Sequence, residues 1–197
     1  AVVKEHATLK ARCGDKGDET ELDMSSKEMG IDGAIMLAPE IVANGALTSL
    51  NISNNAIIGA LVLPEGWAQN DHLFGYEKPG YKHTDGRTQK DHPGKPEGAI
   101  AMADAIKNNG ALVSANLLNN GINTEQAQNL AGIFKEHVTL KSLCGNKGDE
   151  TELDMSGKEM GADGAIMLAP EIVANRALTA LNISLNHLDI GAQGLQE

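Results

Sequence analysis

One segment of this chain is written twice: Lys4 to Asn55 recurs, at about four positions in five, as Lys135 to Asn186. Repetition on this scale constrains the fold more than any single motif, because a repeated unit that cannot bury its own apolar face must bury it against a neighbour. A shorter pattern lies inside each copy. Leu47-Thr-Ser-Leu50-Asn-Ile52-Ser-Asn-Asn55-Ala-Ile57 spaces its aliphatic residues as LxxLxLxxNxL, and Leu112 to Ile122 and Leu178 to Leu188 follow the same layout. Leu22 and Leu50, Leu112 and Leu140, and Leu153 and Leu181 are each 28 residues apart. That spacing predicts one strand per 28-residue unit.

The other half of each unit reads as a helix. From Asp32 to Leu47 the periodicity places Ala34, Leu37, Ala38 and Ile41 on one face, with Asp32 as the expected N-cap and Gly45 as the stop. Residues 97–112 and 163–178 repeat that pattern. Pro39 and Pro170 fall inside two of these helices, which are expected to bend or be short because proline removes a backbone N–H. In the strand, alternation sends Leu50 and Ile52 inward and Ser49, Asn51 and Ser53 outward.

On these residues the chain resembles the ribonuclease-inhibitor-like class of leucine-rich repeat proteins, everywhere except roughly residues 58–97. The resemblance implies an α/β fold: a single right-handed solenoid over residues 1–197, a horseshoe with parallel strands on its concave face and helices on its convex face. It also implies that Asn55, Asn120 and Asn186 hydrogen-bond the backbone between coils. Lys27 and Lys158 stand at the matching places in the preceding units, so the asparagine ladder is expected to break there.

Two places interrupt the period. The string Leu143-Cys-Gly-Asn-Lys-Gly-Asp-Glu-Thr inserts a step of about ten residues, mirrored at Arg12 to Thr20. It reads as a loop, with an additional short strand as the alternative. The second interruption is longer: about 37 residues separate Ile57 from the helix that begins near Glu97. In stacked-repeat proteins such insertions emerge as loops on one face, often the binding face. Of the five aromatic residues, Trp67, Phe74, Tyr76 and Tyr81 lie in this insertion. They form either a small core of their own or the anchors of a recognition surface.

The formal net charge of −11 argues against nucleic acid and against an anionic membrane, both of which need basic clusters. A neutral or basic protein is the expected partner. Alternation puts Glu21, Asp23, Glu152 and Asp154 on the exposed strand face, with Ser49, Asn51, Ser53, Ser114, Asn116, Ala180, Asn182 and Ser184. Small polar side chains there leave room for a partner to approach the sheet.

Chemistry is sparse. His72, His83 and His92 lack close metal-ligand spacing, the Asp15 to Glu21 run lacks the ordered spacing of a calcium loop, and no phosphate loop, nucleophile elbow or HExxH is present. No catalytic residue, metal or cofactor is expected. Cys13 and Cys144 are equivalent positions several units apart, beyond disulfide reach, and free thiols suit a cytoplasmic or other reducing compartment. The chain also lacks a signal peptide and any run of about 18 apolar residues. Neither end reads as a polar cap, so a segment of a longer array is expected, with self-association through Leu9, Leu22, Leu181 and Ile183.

Overall fold

The structure is a computed structural model that describes residues 17–58, 67–70, 80–83, 88–89 and 96–188, the three short middle stretches as backbone only. In chain order the elements are β1 (Glu21–Asp23), α1 (Gly30–Ala43), β2 (Ser49–Asn51), β3 (Trp67–Asn70), β4 (Gly80–His83), β5 (Thr88–Gln89), α2 (Glu97–Asn108), β6 (Ser114–Asn116), α3 (Thr124–Glu136), β7 (Glu152–Asp154), α4 (Gly161–Ala174) and β8 (Ala180–Asn182). The fold is mixed α/β. Strands β1, β2 and β6 form one parallel sheet and β7 and β8 a second.

The register reproduces the sequence period: Leu22 pairs with Leu50 and Leu153 with Leu181. Between the strands and the helices lies the apolar core. Ala34, Leu37, Ala38 and Ile41 of α1 are buried as the periodicity predicts, together with Leu50 and Ile52 from the strand side. Helix α1 packs on α2, and α3 on α4.

Three local expectations change. Asp32 lies in the first turn of α1 rather than at its N-cap, which is Met29; a carboxylate there still favours the helix dipole. The helix ends at Ala43 and is capped by Asn44 rather than by Gly45, which follows the cap. Helices α1 and α4 run for 14 residues through Pro39 and Pro170 and are not short. A single missing N–H is tolerated because packing, rather than internal propensity, supplies most of a helix's stability.

Asparagine side chains join successive units. The Asn55 carboxamide accepts from the N–H of Lys27 at 2.8 Å and donates to the carbonyl oxygens of Met24 at 2.7 Å and Ile52 at 2.9 Å. Asn120 accepts from Asn55 N–H at 2.9 Å and donates to Ile52 and Leu117, both at 2.9 Å. Asn186 repeats the Asn55 pattern towards Lys158 and Met155. Lysine at positions 27 and 158 therefore removes a rung's side chain but leaves its backbone bonded, because the next unit's asparagine reaches back to it.

The ten-residue step carries extra strand structure: Ser142 and Cys144 bridge to Ser114 and Asn116. The insertion contains an antiparallel sheet in the order β3-β4-β5, with Trp67 opposite His83 and Tyr81 opposite both Gln69 and Gln89. Phe74, Tyr76, His72 and His92 lie outside the described residues, as do Leu9, Cys13 and the chain-terminal stretches.

The insertion leaves and rejoins the fold at one point. A methyl group on Gly98 would stand 2.2 Å from the Ile57 carbonyl oxygen, so the residues flanking the insertion are in direct contact. Replacing residues 59–95 by a short turn should therefore preserve a single cooperative melting transition. Gly98→Ala, by forcing two backbones apart, should cost roughly 1–3 kcal/mol. Loss of cooperativity in the deletion variant, measured by thermal denaturation, would show that the inserted sheet belongs to the core.

Candidate functional site

The parallel ladder aligns the outward residues of β1, β2 and β6 in two rows. Glu21, Ser49 and Ser114 form one; Asp23, Asn51 and Asn116 form the other. They line a cleft of about 260 Å³ whose far wall is Gly145. Gly145 has φ +82 and lies so close to Asn116 that a Cβ there would be 3.0 Å from its side chain, a position suited to glycine alone. The Ser114 hydroxyl donates to the Asn146 carbonyl at 3.1 Å, so the loop after the extra strand folds over one end of the polar rows.

The side chains of the second row turn back on their own strands. The Asp23 carboxylate accepts from Ser25 N–H at 2.9 Å, Asn51 from Ser53 N–H at 3.2 Å, and Asn116 from Leu118 N–H at 3.2 Å. Such turns fix the polar groups in place before any partner arrives. Hydrogen bonds from the Ser25 side chain and backbone hold the Asp23 carboxyl below the usual carboxylate range, aided by the Asn51 amide and the Lys27 charge. The second copy repeats this arrangement on β7 and β8: Asp154 accepts from Ser156 N–H at 2.8 Å and Asn182 from Ser184 N–H at 3.1 Å, and the Asp154 carboxyl is likewise lowered by Ser156.

Ten of the twelve strand-face residues named from the sequence therefore lie on the described strands: six on the first sheet and Glu152, Asp154, Ala180 and Asn182 on the second. Ser184 follows β8 and is exposed. Ser53 is a correction: it is buried, and its hydroxyl donates to Asn51 at 2.8 Å. It lies beyond the end of β2, where alternation no longer applies and the chain turns under the next unit. Trp67 and Tyr81 sit on β3 and β4.

Sequence reasoning missed two buried polar features. Asn44, Asn109, His137 and Asn175 cap helix C-termini and tie each to an earlier unit. Asn109 donates to the Ile41 carbonyl at 2.7 Å, whereas His137 uses Nε2 towards Ile106 at 3.1 Å and Nδ1 as the acceptor for Leu140 N–H at 3.1 Å. The imidazole thus reproduces an asparagine's donor and acceptor. Their common place three residues before Leu47, Leu112, Leu140 and Leu178 was the available signal.

The second missed feature is Glu171. It projects from α4 into the interior and accepts from Leu143 N–H, Asn146 Nδ2 and the Ser142 hydroxyl, the last at 3.0 Å. Burial pushes its carboxyl above the usual range against those three donors. Cys144, free and buried beside it, has its thiol pushed well up, by burial first and by the Glu171 charge second. A thiol of this kind is poorly nucleophilic. Among the described residues no group of three or more His, Cys, Asp and Glu is placed to hold a metal, and no helix is long and apolar enough to cross a membrane.

No protein-family model matches the chain, and no curated protein matches it.

Glu171 gives a pH prediction with a definite sign. A carboxyl whose folded pKa is raised contributes stability below its unfolded value, near 4.5, and that contribution is lost as pH rises through the folded pKa. Asp23, Glu150 and Asp154 act in the opposite sense, losing stability as pH falls, but they are common to both proteins in a comparison. Denaturant midpoints for Glu171→Gln and the parent, taken from about pH 4 to pH 7, should therefore show the difference moving in the variant's favour as pH rises. A constant difference would mean that Glu171 does not titrate in this range in the folded protein.

Proposed function

We propose that this chain is a leucine-rich repeat solenoid, a right-handed horseshoe with its strands on the concave face and helices on the convex face. It acts as a non-enzymatic scaffold that binds another protein. The observation that carries this reading is the pair of polar rows, Glu21-Ser49-Ser114 and Asp23-Asn51-Asn116, held in register on one sheet face and repeated on β7 and β8. Short side chains already fixed by turns lose little entropy on binding and leave the sheet approachable. The carboxylates favour a neutral or basic partner over nucleic acid. Trp67, Phe74, Tyr76 and Tyr81 of the insertion are the natural second contact, since aromatic side chains dominate protein recognition.

The test is affinity capture from the protein's own cell extract, with the captured protein then titrated in purified form. Asp23→Arg with Asn51→Arg should weaken that binding at least about tenfold while the melting curve stays within a few degrees of the parent. Unchanged affinity in a folded double variant would remove the strand face from the function.

A second reading, a structural subunit that stacks end to end, is favoured by one local anomaly. Leu50 and Ile52 are covered by the following unit, but their equivalents Leu181 and Ile183 are 38% and 37% exposed. Beside them Leu185 is 80% exposed and has φ +58, a backbone conformation that Asn54 and Asn119 adopt at the matching places. Asparagine tolerates that conformation better than leucine. Leu185→Asn should therefore raise the melting temperature by a few degrees and lower any self-association seen by light scattering. In the parent that association should grow with ionic strength, because salt screens the repulsion of a −11 charge. A parent protein that stays monomeric at high salt and high concentration would leave the scaffold reading alone.

A further inference from the structure

The helix side of the molecule holds a second surface, distinct from the strand face. Among the parallel strands of the repeat, each step passes through a helix except one: the chain goes from Ser142 and Cys144 to β7 with no helix between. Between the C-terminal halves of α3 and α4, which pack on each other elsewhere, lies an open groove of about 1120 Å³. Its floor is apolar, formed by Phe134, Leu140 and Ile166, and Val173 stands on its wall 83% exposed.

Charge distinguishes this groove from the rest of the protein. The chain has 27 acidic residues against 16 basic ones, yet no Asp or Glu lines the groove, and its formal charges are Lys135 and Arg176. Both are exposed, and neither makes an ion pair or a side-chain hydrogen bond with another described residue. Arg176 is also one of the few differences between the two copies, replacing Gly45. His137, the remaining titratable group in the lining, is occupied with backbone partners.

We propose that this groove binds an acidic amphipathic helix from a partner protein. The helix's apolar stripe would lie on Phe134, Leu140, Ile166 and Val173, and its carboxylates would pair with Lys135 and Arg176. Helix-in-groove recognition uses this kind of aliphatic and aromatic floor.

The test uses the full chain and a fluorescein-labelled 14-residue peptide with leucines at i, i+3, i+4 and i+7 and glutamates elsewhere on the helix. Its lysine counterpart and a scrambled sequence serve as comparisons, and fluorescence anisotropy is the readout. The acidic peptide should bind at least about tenfold more tightly than the lysine version, and the gap should narrow as salt rises from about 0.05 to 0.5 M. Lys135→Glu with Arg176→Glu should weaken binding about tenfold or more, and Val173→Glu should abolish it. Ile100→Glu, at an exposed position on α2, should leave it unchanged. Equal binding of the two peptides, no binding of the acidic one, or full binding by folded Val173→Glu would overturn the proposal. So would oleate occupying the groove where the peptide does not, or self-association of the chain that Val173→Glu removes, since these assign the groove to a lipid or to a second copy.

Discussion

The fold depends on the backbone hydrogen bonds that asparagine side chains complete between successive units. Strands of three residues and one helix leave roughly a third of each unit in turns, where N–H and C=O groups have no ladder to satisfy them. Asn55, Asn120 and Asn186 supply that missing satisfaction, each with one carboxamide that accepts from a neighbouring backbone and donates to several carbonyls. Every buried polar group left without a partner costs about 1–3 kcal/mol, a large part of the 5–15 kcal/mol that stabilises an ordinary domain. The helix C-terminal residues Asn44, Asn109, His137 and Asn175 do the same work at the other end of each unit.

The omitted helix between Cys144 and β7 concentrates the chain's unusual chemistry. With no helix there to cover them, the polar groups of Ser142, Leu143 and Asn146 turn to Glu171, a carboxylate drawn in from α4. Its three donors stand at positions where the copies differ: the first copy has Ala11, Arg12 and Asp15. The same stretch folds the Gly145 loop over one end of the polar rows, and Leu140 just before it lines the helix-side groove. One stretch of chain thus borders both the strand-face cleft and the surface behind it.

Duplication lets the chain act as its own control. Leu50 and Leu181 occupy nearly identical local sequences, differing at Ser49/Ala180 and Asn54/Leu185, yet one is buried and the other over a third exposed. Local sequence sets the strand in both cases. Burial is set by whether a neighbouring unit lies on top, as α2 and β6 do for the first copy.

By itself the sequence determined the 28-residue register, the positions of the parallel strands and the inward face of α1, while the resemblance to leucine-rich repeats pointed to the asparagines. The register, the strands and the helix face follow from period and alternation, which are local and survive in any context. It also placed the strand-face residues correctly while the strand lasted, and failed at Ser53, where the strand ends and the chain turns inward. Only the tertiary structure decided that Ile57 and Gly98 meet beneath the insertion, that His137 stands in for an asparagine, and that Glu171 is buried among three donors. Each depends on groups brought together from units 25 to 41 residues apart, a proximity that stacking creates and no local periodicity encodes.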